Sequence, residues 1–294
     1  MQEICVCILN YNNSRLTVKC LESVLSQRYE KFWLVITDNA STDDSVDSIK
    51  NYLDSKGISY CIKTEGDDLT LQEGESPEVV LIRSLKNGGF SYGSNRSIAF
   101  VQANNRFSHM LLLNNDVILE DHFLSDIMQD YNAEAEANPD RPLAMGAIEK
   151  GPGGNTHHTG VHFLNIPTGL VFASPLLPSF RYIVGACLFL PADAPIMDEK
   201  YFLYYDDAEY AKILLRNNFI LRTTARASYI HDTGSTTRND PQLYRIIFRS
   251  MKRFYKKNYP MAYPLVILLR FLLDTARGRF SIASEIIRSS FRKE

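Results

Sequence analysis

Ile4-Cys5-Val6-Cys7-Ile8-Leu9, followed by Asn10-Tyr11-Asn12-Asn13, is the stretch that decides the fold. An unbroken apolar run ending in a polar turn reads as a strand buried on both faces, the kind found in parallel sheets covered by helices. Working outward, Leu16, Cys20, Val24 and Leu25 have helical spacing, Phe32–Thr37 reads as a second strand, and Val46, Ile49, Tyr52 and Leu53 mark a second helix. Ser59–Lys63 and Val79–Arg83 read as strands, Ser91–Asn104 as a helix, and Met110–Leu113 as a strand with another helix behind it. Thr64–Pro77 is acidic, lacks apolar periodicity and reads as an inserted loop. The alternation predicts an α/β fold with a mostly parallel central sheet flanked by helices. No segment repeats with a solenoid's period of roughly 20–50 residues.

The 294 residues are 45% hydrophobic and 22% charged, which excludes a disordered or collagen-like chain. Cys5, Cys7, Cys20, Cys61 and Cys187 are odd in number and lack zinc spacing. They read as small buried hydrophobes in a reducing compartment, with Cys5 and Cys7 on one face of the first strand. The N-terminus has no basic leader, and the apolar stretch Met261–Leu273 contains Arg270 and is too short to span a bilayer. The expected location is therefore the cytoplasm.

The net charge of −2 hides a split: residues 241–294 carry a balance of +9 and the preceding 240 a balance of −11. In the C-terminal segment the bases alternate with Ile246, Ile247, Phe248, Met251, Phe254 and Tyr255. Two helices are expected there, one near Leu243–Asn258 and one over Leu265–Leu272, forming a basic amphipathic tail. Such a pattern fits an anionic membrane surface, with a homodimer contact as the alternative; nucleic acid is not an expected partner.

Three polar clusters end successive strands: Asn10–Asn13, Asp38-Asn39-Ala40-Ser41 and Asn114-Asn115-Asp116. Gathered at one edge of a parallel sheet, they predict a nucleotide-sized pocket. Asp116 with Asn114 beside it suits a hard divalent cation that takes its other ligands from phosphates and water. Further on, Tyr182–Leu190 reads as one apolar strand containing Gly185. Asp206, Asp207 and Glu209 then open a helix directly behind Tyr201, Phe202, Tyr204 and Tyr205. Aromatic rings pack on sugar faces, and a carboxylate among them can serve as general base for an alcohol. Two short strands are expected to lead to His231.

The ordered set ILNYNN, DNASTDDS, NGGFSYGSN, LLLNNDV, VGACLFL, YFLYYDDAEY and HDTGS resembles the family 2 glycosyltransferases, inverting enzymes of the GT-A fold, and within them the rhamnosyltransferase-like branch. The resemblance covers residues 3–237 and implies a glycosyltransferase domain over 1–240, with a nucleotide-sugar half (1–120) and an acceptor half (121–240). It implies a dTDP- or UDP-sugar donor, a glycan or lipid-linked acceptor, and Mn2+ or Mg2+. By position it places Tyr11, Asn12, Asp38, Asn87, Gly89, Asn95 and Asn115 at the donor, and Asp116, Asn114 and His231 at the metal. It gives Asp207 as the base, with Asp206 and Glu209 alongside. Asn114 stands where the family has an acid, and Ile213 where it has an arginine.

Other classes fit less well. A sugar nucleotidyltransferase would need a Gly-rich, basic loop where Asn10–Ser14 stands. The run Gly88-Gly89-Phe90-Ser91-Tyr92-Gly93 does not fit a dinucleotide fingerprint. A binding module without turnover would not require Asp116, Asp207 and His231 together. His157, His158 and His162 sit in a Gly-rich, irregular stretch and read as surface or acceptor contacts.

Overall fold

In the computed structural model, which describes residues 3–29, 31–72, 76–231 and 241–280 and the helical positions 282, 284, 286 and 288, the opening apolar run is strand β1 (Ile4–Asn10). It lies between β2 (Phe32–Asp38) and β5 (His109–Asn114), parallel to both. β4 (Val79–Arg83) and β3 (Tyr60–Thr64) extend the parallel half outward from β2. Beyond β5 the direction changes. β12 (Cys187–Pro191) runs antiparallel to β5 and to β7 (Leu143–Lys150), followed by β13 (Ile220–His231) and β6 (Val117–Leu119). β8 (Thr156–His158) pairs with β7, and a separate small sheet has the order β10 (Val171–Phe172), β9 (Val161–Asn165), β11 (Ser179–Ile183).

The alternation of β1 side chains sorts the core into two layers. Ile4, Val6 and Ile8 pack with α1 (Ser14–Leu25), α2 (Ser45–Lys56) and α4 (Phe123–Ala137). Cys5 and Cys7 face the other layer, which holds α3 (Phe90–Ala103), α5 (Asp206–Arg216), α6 (Pro241–Asn258) and α7 (Tyr263–Ala276). A parallel strand buried by helices on both sides has no polar face, which is why its sequence reads as a continuous apolar run. All five cysteines are free thiols.

Three expectations need correction. The run 182–190 is two strands, because Val184-Gly185-Ala186 carries the chain from the small sheet into the main one. Tyr182 and Ile183 before the crossing and Cys187 and Leu188 after it are all buried, so hydrophobicity alone does not mark it. The two short strands before His231 are one strand, whose register shifts between Thr223 and Ser228. Asp130 holds that bulge, accepting hydrogen bonds from the Ala225 N–H and from Thr224 and Arg226.

The third correction concerns the C-terminal helices. Phe248, Met251, Phe254 and Tyr255 of α6 are fully buried in the same layer as α3 and α5, so they are core and not free to insert elsewhere. An amphipathic sequence calls for an apolar partner, and here the partner is the body of the protein. Among the described residues, no helix is long and apolar enough to cross a membrane.

Candidate active site

The register of the parallel strands brings the polar clusters together. Asn10 lies opposite Asp38, and Leu9 opposite Asn114, so all three strand ends reach one edge. Asp38 is buried and accepts hydrogen bonds from Asn10 Nδ2 at 2.7 Å and from the Ser41 N–H at 3.0 Å, tying the first two loops together. Asn12 Oδ1 accepts from the Thr42 N–H at 2.9 Å. Tyr11 is 43% exposed at the tip, an open ring face beside these loops. Asn12, Asn13 and Ala40 all have left-handed backbone, a cost concentrated on this edge.

Asn87 and Gly89 shape the next loop. Asn87 Oδ1 accepts from the Gly89 N–H and from Asn39 Nδ2, both at 3.0 Å. Gly89 has φ +88, and a Cβ there would lie 2.0 Å from the Phe202 carbonyl oxygen. Only glycine lets the aromatic loop 201–205 come this close, and the Phe90 N–H then donates to that carbonyl at 2.8 Å. Two other expected donor residues turn elsewhere. Asn95 is buried and bonds the backbone of Met197 through both its amide nitrogen and its oxygen, at 3.0 and 2.8 Å. Asn115 donates to Thr17 Oγ1 at 3.0 Å. These two side chains fix loops rather than face a ligand.

Asp116 and His231 come from separate strand ends, yet His231 Nε2 lies 3.1 Å from Asp116 Oδ1. The other ring nitrogen, Nδ1, lies 3.1 Å from Glu149 Oε2. Glu149 is 3% exposed and also accepts from Tyr229 Oη at 3.1 Å, with His158 Nε2 at 3.0 Å. Burial works against the charge on His231, but its bonds to Asp116 and Glu149 outweigh this and raise it to about 9. Burial alone would raise the Glu149 carboxyl, but His158 and His231 hold it well below the usual carboxylate range. His158 is therefore a buried member of this chain and not a surface residue. Glu149 escaped the sequence reading because it sits inside a strand, 82 residues from His231, with no local motif around it.

Asp116 Oδ1 and His231 Nε2, once that nitrogen gives up its proton, are a donor pair of the kind a divalent cation takes. Among the described residues no group of three or more His, Cys, Asp or Glu is placed to hold a metal, so the remaining ligands would be diphosphate oxygens and water. Asn114 lines the adjoining cavity.

That cavity, of about 450 Å³, is lined by His231 and Asn114 and also by Asp206 and Asp207. Tyr204 and Tyr205 precede the two acids, both with left-handed backbone, and turn α5 so that its first residues meet the cavity. Gly185 leaves room for Asp207, whose Cβ would be 3.4 Å from a Cβ at that position. Burial raises both carboxyls, and for Asp207 the neighbouring charge of Asp206 raises it further. Glu209 does not join them. It is 1% exposed and points away, 2.8 Å from Lys257 Nζ and 2.6 Å from Asn258 Nδ2. Glu209 is two residues on from Asp207, a spacing that puts two side chains on opposite sides of a helix, and there α6 supplies the opposite charge.

Comparison with known proteins accords with this geometry. Residues 5–139 match the profile of the family described as Glycosyl transferase family 2. That match takes in just under half of the chain. An uncharacterized glycosyltransferase of Rickettsia bellii is 30% identical over 107 residues, which are 36% of this chain and 14% of that protein. The chain thus spans about a seventh of that curated relative. Among solved structures, the mannosyltransferase PcManGT of Pyrobaculum calidifontis, in complex with GDP-Man and Mn2+, aligns over 98% of this chain and 74% of its own, with TM-score 0.55 and 11% identity. The Staphylococcus aureus protein TarS (residues 1–349) in complex with UDP aligns over 99% and 91%, with TM-score 0.52 and 14% identity. GalNAc-T7 with UDP, GalNAc and Mn2+ aligns over 98% and 57%, with TM-score 0.60 and 11% identity. At these identities the likeness is one of fold, and the fold is the expected GT-A arrangement.

Proposed function

We propose that the protein is an inverting glycosyltransferase that moves a sugar from a nucleoside diphosphate to a hydroxyl of a glycan or lipid-linked acceptor. The observation that carries this reading is the shared cavity, in which the Asp206–Asp207 pair and His231 line one chamber beside the nucleotide-sized edge. The base of the nucleotide stacks on Tyr11, and the loops tied by Asp38 and Asn87 enclose the rest of the nucleoside. A divalent ion held by Asp116 and His231 would neutralise charge on the leaving diphosphate.

Asp207 takes the proton from the acceptor hydroxyl. Its raised proton affinity suits this role, since a base titrating near neutrality both stays available and accepts a proton readily. A single displacement from the face opposite the nucleotide inverts the anomeric carbon, and no covalent sugar–enzyme bond is needed. A UDP- or dTDP-sugar, rhamnose among the candidates, is the donor class that the motif resemblance favours. The relatives bound to UDP, GDP-Man and Mn2+ support a nucleotide sugar and a divalent metal.

The test is incubation with a panel of nucleotide sugars and Mn2+, following release of the nucleoside diphosphate. Release that depends on Mn2+ and on Asp116, with inverted product by NMR, supports the reading. Nucleotide sugars that bind without any release under every acceptor tried would favour a binding module. The same proposal extends to a membrane surface: α7 turns Leu265, Leu268 and Leu272 outward, and α6 exposes Arg245, Arg249 and Lys256. Co-sedimentation with anionic but not neutral vesicles, weakened by salt, is the expected result. A salt-insensitive dimer without vesicle binding would replace it.

A further inference from the structure

The far wall of the cavity comes from helices outside the family 2 match. Ile247 and Met251 of α6 and Arg270 of α7 line it together with Leu164, Leu170 and Val171. Arg270 is the only lysine or arginine among the described lining residues. Its surroundings leave it without a proper partner. Asp274, one turn along α7, lies 4.0 Å from the guanidinium, beyond hydrogen-bond reach, and instead holds Arg279 at 2.5 Å.

Two guanidinium groups therefore share one buried carboxylate, and Asp274 makes its hydrogen-bonded contact with Arg279 alone. Arg270 Nε is buried with no hydrogen-bond partner, and the Asp274 oxygen nearest Arg270 accepts no hydrogen bond either. Native proteins rarely leave a buried guanidinium nitrogen unpaired, because the lost hydration is not recovered. The Arg270 guanidinium lies 5.9 Å from the Phe248 ring, which limits its freedom to swing out to water. Tyr205, directly before Asp206, donates its hydroxyl to the Gly169 carbonyl at 3.1 Å, closing the wall between the acids and α7. Tyr205, Asp207 and Arg270 all line this one chamber.

We propose that Arg270 is an anion-binding subsite of the acceptor cavity, so that the acceptor carries a phosphate or carboxylate next to an apolar portion. This rests on the transferase reading above and names its acceptor class. A guanidinium offers two parallel N–H donors that match the oxygens of either anion, and the largely aliphatic wall suits the apolar part. A neutral glycan hydroxyl would accept a hydrogen bond from the same group but would leave its charge without a counter-ion.

The experiment is calorimetric titration of the full chain with n-hexyl phosphate, n-hexyl glucuronide and n-hexyl glucoside, with UDP plus Mn2+ titrated separately. The expected result is at least tenfold tighter binding of one or both anionic probes than of the glucoside. The phosphate and glucuronide arms tell a phosphoryl acceptor from an acidic sugar. Arg270→Gln should abolish the preference while leaving UDP affinity unchanged, and Arg270→Lys, which keeps the charge but loses the fork, should retain part of it. Equal binding of all three probes to the wild-type protein, or a preference that survives Arg270→Gln, overturns the subsite. If Arg270→Gln fails to fold, Arg270→Met takes its place, and an anion preference that survives there at unchanged UDP affinity likewise overturns the subsite. Failure of UDP to bind the wild-type protein strikes the transferase reading instead, so the two failures are told apart.

Discussion

Asp207→Asn separates the chemistry of the site from its stability. The asparagine keeps the shape and the Oδ1 atom that accepts the Ala208 N–H at 2.8 Å, so the start of α5 should not move. What it removes is one of two acids buried side by side. Burial, and for Asp207 the charge of Asp206, give the folded state a greater affinity for protons than the unfolded chain has. The pair's contribution to stability is therefore fully present below the ordinary carboxylate range. It is lost progressively as pH rises through the raised folded-state values.

Near pH 8 the wild type accordingly carries a destabilising charge pair that the variant lacks. Relief of about 1–2 kcal/mol raises Tm by roughly 2–6 °C in a chain of this size, and the gain should vanish near pH 4. Turnover should move the other way. Loss of a general base costs about 10²–10⁴ in kcat, or roughly 2.7–5.4 kcal/mol of barrier, with nucleotide affinity unchanged. Thermal melts from pH 4 to 8.5, paired with nucleoside diphosphate release, measure both effects. Turnover within about tenfold of wild type would remove Asp207 as base. A lower Tm at pH 8 would refute the electrostatic argument. A larger loss in Asp206→Asn would move the role to its neighbour.

Glu209→Gln should leave kcat of the folded enzyme unchanged and lower stability by about 1 kcal/mol, since the amide still accepts from Asn258 while the charge facing the partly exposed Lys257 is lost; chemical denaturation checks this. Gly89→Ala forces a Cβ against the Phe202 carbonyl at positive φ, so Tm and turnover should fall together, as melts and nucleotide release would show. Glu149→Ala leaves His158, His231 and Tyr229 without their shared acceptor. In the presence of UDP it should weaken Mn2+ binding by about 10–100-fold, read from the EPR signal of free Mn2+.

Much of the fold was legible because local patterns and tertiary burial agree in its first half. A parallel strand covered on both sides must be apolar throughout, so Ile4–Leu9, Phe32–Thr37 and Met110–Leu113 announced themselves, as did the polar loops that end them. The clustering of Asn10, Asp38 and Asn114 also followed, because parallel strands finish at one edge. The remainder depended on long-range contacts that carry no local signal. Gly185 reads like any glycine in a strand until its neighbours enter two different sheets.

Asp206, Asp207 and Glu209 look equivalent along the chain, and only the direction of each side chain from α5 sends two into the cavity and one to Lys257. The α6 face that reads as a membrane anchor is core, because hydrophobic spacing specifies an apolar partner without naming it. Glu149 belongs to no motif, yet it joins His231 to His158 across separate strands. In the first half of the chain, sequence determined which segments are strands and helices and which strand ends are polar, since those follow from periodicity. Tertiary structure decided which charges meet, because electrostatic and hydrogen-bond partners are set by distance in space, and the chain brings together residues that its order keeps far apart.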